Sequence, residues 1–142
     1  MGNAVILAAH GRLAEGVKSG LDLVVGPMEN LRTVTFVEGD TYEIIDQKLN
    51  DAVSSLDGAT NLLFITDLMG GTPFNRAVML FGNRPNVRVL SGLNFGLAYQ
   101  ALISEEEDVD AYAQEVLAAG HESIAVYVAP EEHENASEED GI

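Results

Sequence analysis

The sequence contains no cysteine. That excludes a disulfide framework, thiolate zinc sites and cysteine nucleophiles, and leaves histidine, carboxylates and hydroxyls as the reactive groups. Basic residues are scarce too: seven Lys and Arg stand against 23 Asp and Glu, for a formal net charge of −16. Such a field repels phosphate backbones and anionic lipid surfaces, which argues against nucleic acid as a partner and favours a basic protein. No apolar run approaches the ~20 residues that a membrane helix needs, and Met1-Gly2-Asn3 lacks the basic start of a secretory signal, so a cytoplasmic protein is expected. The chain also has no G-x-x-x-x-G-K-[ST], no G-x-G-x-x-G after its first apolar run and no G-x-S-x-G. It does not look like a kinase in its own right.

What is present is an ordinary globular composition: 142 residues, 46% of them hydrophobic, with four prolines. One domain with one core accounts for that length. Ala4 to Ala9 is apolar at every position, as in a parallel strand covered on both faces. After His10-Gly11 the spacing changes. Leu13, Val17, Leu21 and Val24 recur every three or four residues until Gly26-Pro27, which predicts a helix.

The strand-helix unit then repeats. Leu31 to Val37 reads as a second strand, and Asp40-Thr41-Tyr42-Glu43 reads as a helix start in which Asp40 supplies the capping acceptor and Glu43 follows three positions later. The helix carries an apolar stripe of Tyr42, Ile45, Leu49, Val53 and Leu56, closed by Asp57-Gly58. Asn61 to Asp67 is a third strand. Thr72-Pro73, a preferred cap followed by proline, opens a helix to about Phe81. Val87 to Ser91 is a fourth strand, Asn94 caps a short helix to Leu102 or Ile103, and Asp108 to Ala119 forms another that Gly120 ends. Ile124 to Val128 is a last apolar run. This alternation predicts a doubly wound α/β fold, with ligands bound beyond the carboxyl ends of the strands. Six acidic residues crowd the final twelve positions, and residues 130–142 are expected to be a disordered tail after a single domain over 1–129.

His10 and Asp67 both fall at strand ends. If the first and third strands are neighbours, the Asp67 carboxylate bonds one imidazole nitrogen, fixes the tautomer and leaves the other nitrogen free to attack. Gly70-Gly71-Thr72 adds backbone N–H groups at a helix N-terminus, where an anionic phosphoryl group is accepted, and Thr72 offers a hydroxyl. Plainer roles stand beside these: His10 as a helix cap, Asp67 as a turn residue, Thr72 as a cap alone. Arg12 is close enough in sequence to touch a phosphoryl group and equally suits the surface. Asn75 and Asn94 suit places that support the site from behind, or simple helix starts. His121 and His133 have no metal-ligand spacing with His10, so no metal is expected.

The chain resembles the enzyme IIA (EIIA) component of the mannose class of the bacterial phosphoenolpyruvate-dependent sugar phosphotransferase system. The resemblance runs from about Ala4 to Val128. It is carried by the apolar strand ending in Ala9-His10-Gly11 with Leu13-Ala14-Glu15-Gly16 behind it, by Thr66-Asp67-Leu68-Met69-Gly70-Gly71-Thr72-Pro73-Phe74-Asn75, and by Ser91-Gly92-Leu93-Asn94. It implies that His10 takes a phosphoryl group from the phosphocarrier HPr and passes it to an EIIB partner associated with membrane EIIC and EIID components. No cofactor is needed. It also implies a four-stranded, mainly parallel sheet flanked by helices, with a fifth, antiparallel strand, Ile124 to Val128, exchanged in a homodimer. HPr of this system presents arginines around its own histidine, so the negative charge here would steer it in.

Some members of that family continue into a fused EIIB domain, whereas this sequence ends soon after the fifth strand and is expected to act as a separate EIIA. Two other readings remain open at this point. One is the related phosphotransfer subunit of a dihydroxyacetone kinase system, which also takes phosphate from HPr. The other is a non-catalytic regulatory domain in which His10 is structural.

Overall fold

A computed structural model describes residues 2–131. Four strands and five helices alternate: β1 (Asn3–His10), α1 (Leu13–Val25), β2 (Leu31–Phe36), α2 (Tyr42–Ser54), β3 (Asn61–Thr66), α3 (Thr72–Phe81), β4 (Val87–Ser91), α4 (Phe95–Ile103) and α5 (Val109–Glu122). The four strands form one sheet in the order β2-β1-β3-β4, and every neighbouring pair is parallel.

The unbroken apolar run of β1 has its reason in this order, because β1 is a central strand covered on both faces. Val5, Leu7 and Ala9 face α1, α4 and α5 through Leu21, Leu97, Ala98, Tyr112 and Val116. Ala4, Ile6 and Ala8 face the opposite layer of α2 and α3 through Ile45, Leu49, Ala77 and Phe81. Residues Ala4 to Ala9 have no solvent exposure. In the second layer the rings of Phe64 and Phe81 stack with centroids 5.4 Å apart. The α/β class, the parallel sheet and the flanking helices expected from the sequence are all present.

Three expectations change in detail. The cap of α2 is Thr41, whose Oγ1 accepts the Ile44 N–H at 3.2 Å. Asp40 is instead drawn to Lys48 Nζ at 2.8 Å and the Val37 N–H at 3.1 Å, bonds that hold its carboxyl below the usual aspartate range. Thr72 does not cap α3: it is the first helical residue, and Gly71 occupies the cap. Gly120 does not end α5, which continues to Glu122. A Cβ at Gly120 would stand 2.7 Å from Leu97 Cδ1, so this glycine permits close packing of α5 on α4.

Ile124 to Val128 pairs with no strand among the described residues, and Ile124, Val126, Tyr127 and Val128 are 73%, 83%, 81% and 77% exposed. The expected acidic tail lies, from residue 132 on, outside the described residues.

Candidate functional site

Strand β2 lies on one side of β1, and the chain then crosses over to place β3 on the other. The winding direction therefore reverses between β1 and β3, and a crevice opens at their carboxyl ends. His10 is the last residue of β1, and Asp67 directly follows Thr66, the last residue of β3. Ala8 stands opposite Thr66 in the register, so Asp67 comes level with Ala9, and beyond the end of β3 its side chain turns to meet the ring of His10.

One carboxylate oxygen serves both donors of His10. Asp67 Oδ2 accepts the backbone N–H at 3.1 Å and lies 3.0 Å from ring Nδ1. A carboxylate only accepts, so Nδ1 carries the proton in the neutral ring and Nε2 keeps its lone pair. Burial pushes the Asp67 carboxyl up, but the bonds from the His10 ring and backbone outweigh it and hold the group below its ordinary value. Its other oxygen, Oδ1, is buried and has no hydrogen-bond partner among the described residues. The His10 side chain is 49% exposed against 18% for Asp67, so the acceptor is sheltered and the imidazole is presented to solvent.

The segment after Asp67 is a type II turn. The Gly71 N–H closes on Leu68 O at 3.0 Å, and Gly70 sits at φ +81°, where a side chain is strained. No other residue type has positive φ among those described. This turn sets Gly71 against the histidine: a Cβ on Gly71 would lie 2.9 Å from His10 Cε1. The glycine is thus required for closeness, and its own φ of −75° is ordinary. Beyond it α3 begins, presenting the positive end of its dipole and the Thr72 hydroxyl, which makes no hydrogen bond among the described residues. Asn75 reaches back to the turn, with Nδ2 donating to Gly70 O at 2.9 Å.

The sequence-derived candidates therefore divide. His10, Asp67, Gly70, Gly71, Thr72 and Asn75 form one constellation. Arg12 does not join it: its guanidinium pairs with Glu15 at 2.9 Å, with 75% of the side chain exposed. Asn94 is occupied as the cap of α4, accepting from Leu97 N–H at 2.9 Å and bonding Gly120 O and Ser123. Sequence reasoning missed Leu68 and Met69, which are 59% and 73% exposed in the turn beside His10. The available signal was two large apolar residues in a turn, where polar residues are usual. Among the described residues no cluster of His, Asp and Glu has the makings of a metal site. Chemically, the arrangement is an oriented nitrogen nucleophile beside a helix N-terminus that suits an anion, with an apolar rim.

Comparison with known proteins identifies the family. The family described as PTS system fructose IIA component, EIIA-man, matches residues 4–119. The sorbose-specific EIIA component of Klebsiella pneumoniae is 30% identical over 127 residues, covering 89% of this chain and 93% of that protein. The mannose-specific EIIAB component of Escherichia coli is 29% identical over 105 residues, which are 74% of this chain but 32% of that longer protein. Among solved structures, the mannose/sorbose specific IIA subunit from Enterococcus faecalis superposes with a TM-score of 0.81 at 31% identity, covering 92% of this chain and 98% of that one.

Proposed function

The chain belongs to the EIIA-man family of phosphotransferase-system components, and we propose that it is a phosphocarrier whose His10 Nε2 accepts a phosphoryl group from phospho-HPr and delivers it to an EIIB component. The reading rests above all on the hydrogen bond between Nδ1 and Asp67, which directs the free lone pair of a half-exposed imidazole outward. In the accepting step the Nε2–P bond forms as the donor's P–N bond breaks, and the donor nitrogen keeps the released electron pair. Nδ1 retains its proton throughout, so the ring becomes cationic and the Asp67 carboxylate stabilises it. The N–H groups at the start of α3 and the Thr72 hydroxyl receive the phosphoryl oxygens. The Gly70–Gly71 backbone lets them approach. Asn75 serves from behind the turn, and Arg12 meets the partner at the rim.

Donor and acceptor dock on Leu68 and Met69 around the histidine, within an acidic surface that attracts a basic HPr and raises encounter rates by roughly one to three orders of magnitude. Residues 1–129 are the phosphocarrier domain. The relay runs in the cytoplasm, and the sugar is selected by the membrane EIIC and EIID components that EIIB serves. A homodimer completes the fold: the exposed Ile124 to Val128 run adds as an antiparallel strand to the open edge of β4 in a second copy. Sedimentation at twice the monomer mass is the expected result, and a clean monomer removes the exchange.

Incubation with phosphoenolpyruvate, enzyme I and HPr, followed by intact-mass measurement, tests the relay. One acid-labile phosphoryl group is expected, absent from His10→Ala. No gain in the presence of active HPr overturns the proposal. Offering the phosphorylated protein to EIIB and to an ADP-loaded dihydroxyacetone kinase subunit then identifies the acceptor.

A further inference from the structure

The His10 ring has two fixed neighbours, and they act on different atoms. Asp67 Oδ2 holds Nδ1 at 3.0 Å. Gly71 stands against Cε1, the carbon between the two nitrogens, so closely that a Cβ there would lie 2.9 Å away. A single hydrogen bond tethers a ring at one point and leaves it free to tilt. The Gly71 backbone beside Cε1 bounds that tilt on one side and so helps to aim Nε2. In-line transfer between two nitrogens depends on that aim, since reacting atoms must meet within about 3–3.5 Å along the lone-pair axis.

The wall is only as steady as the turn that carries it. Gly70-Gly71 is the most freely jointed dipeptide a chain can offer, and the turn's internal bond, Gly71 N–H to Leu68 O, restrains only one side of it. The other side is held from outside the turn. Asn75 Nδ2 donates to Gly70 O at 2.9 Å, while the Asn75 backbone N–H donates to Gly71 O at 2.9 Å. Asn75 is thereby bound to both glycines, and it stands on a helix anchored by the buried Pro73, Ala77 and Phe81. Its own side chain is exposed and contributes nothing to the core.

We infer that Asn75 is the positioning residue of this site: its amide pins the Gly70–Gly71 turn to α3 and so aims the His10 ring for transfer. The inference rests on the phosphocarrier reading of His10 for its consequence, but its geometric half concerns the unphosphorylated ring alone. Asparagine is specific here. Aspartate has the same shape but no donor, and leucine has nearly the same bulk with neither donor nor charge.

Asn75→Leu and Asn75→Asp separate this role from support of the helix. An aspartate in the first turn of α3 favours the helix dipole, so a merely structural Asn75 predicts an Asp variant as good as the native protein. The positioning role predicts that both variants pass phosphate about tenfold more slowly at saturating phospho-HPr, with the half-saturating HPr concentration unchanged and the thermal midpoint nearly so. It also predicts that the Hε1 and Cε1 resonances of the unphosphorylated His10 ring, on the side facing Gly71, shift or broaden in both variants while the Nδ1–H tautomer held by Asp67 is kept. A native rate and native ring resonances in either variant overturn the inference. Altered ring resonances in the variants, with no phosphoryl uptake even by the native protein, would uphold Asn75 as the aiming residue and remove the relay instead.

Discussion

The two ends of the sheet use their polar groups in opposite ways. At the amino end Asn3, Asn30 and Asn61 form a closed network. Asn3 Nδ2 donates to the carbonyls of Ser104 and Glu106 at 3.1 and 2.9 Å, Asn30 Nδ2 donates to Asn3 O at 2.9 Å, and Asn61 Nδ2 donates to Asn3 Oδ1 and Glu107 O at 3.0 and 2.8 Å. These amides staple the loop before α5 to the starts of β1 and β3. At the carboxyl end the Thr72 hydroxyl and one buried oxygen of Asp67 have no partner among the described residues, and the backbone is bent through a glycine pair. A parallel sheet makes this division natural, because all its carboxyl ends lie on one side. One end is tied together by side-chain amides and holds the fold; the other presents a half-exposed histidine beside a sheltered carboxylate.

Substitutions at the two ends should therefore have crossed effects. The largest is expected from Asp67→Asn, which keeps shape but loses the charge that orients and stabilises the ring. Phosphoryl uptake from HPr should slow roughly a hundredfold while the protein stays folded, and unaltered uptake would deny Asp67 its role. At the other end Asn61→Ala strands Asn3 Oδ1 and the Glu107 carbonyl at a buried site, where Asn61 itself is 4% exposed. Denaturant melts should register a loss of about 1–3 kcal/mol, with the transfer rate untouched. A rate change comparable to that of Asp67→Asn would break the division between the ends.

Gly71→Ala is a finer probe, since the backbone φ there is ordinary and an added Cβ would meet His10 Cε1 at 2.9 Å and the Leu68 carbonyl oxygen at 3.2 Å. Transfer should fall roughly tenfold with little change in stability. The smallest effect is the pH dependence of the pair itself. Asp67 is held below its ordinary value in the folded chain, so folding favours its ionised form. Its contribution to stability is complete above the unfolded value of about 4 and disappears as pH falls through the depressed folded value. A carboxyl titration followed by NMR should place Asp67 below a free aspartate, and His10→Ala should move it upward.

Much of this arrangement can be read from residues alone because it is local. The all-apolar run of Ala4 to Ala9 announces a central strand, and the placement of His10 and Asp67 at strand ends follows from where the apolar runs stop. What escapes the sequence is contact between segments. Thr41, and not Asp40, caps α2 because Lys48 on the next turns of the helix claims the aspartate. Gly120 reads as a helix stop until Leu97 is seen lying on its Cα. The bond from Asn75 to Gly70 spans five residues, yet no pattern of residue types announces it, because it depends on the turn geometry between them. Ile124 to Val128 illustrates the same limit: an apolar run signals that cover is needed, and says nothing of which chain supplies it.

The sharing of Asp67 Oδ2 between the ring and backbone of His10 has a kinetic consequence. With Nδ1 committed to Asp67, the imidazole has a single outward nitrogen, and in the proposed relay every exchange passes through that atom. A donor and an acceptor cannot both occupy it, so each excludes the other while it is bound. Transfer becomes strictly turn by turn, and an excess of either partner acts as a competitive inhibitor of the other. The throughput of the carrier is then governed by how quickly each partner departs.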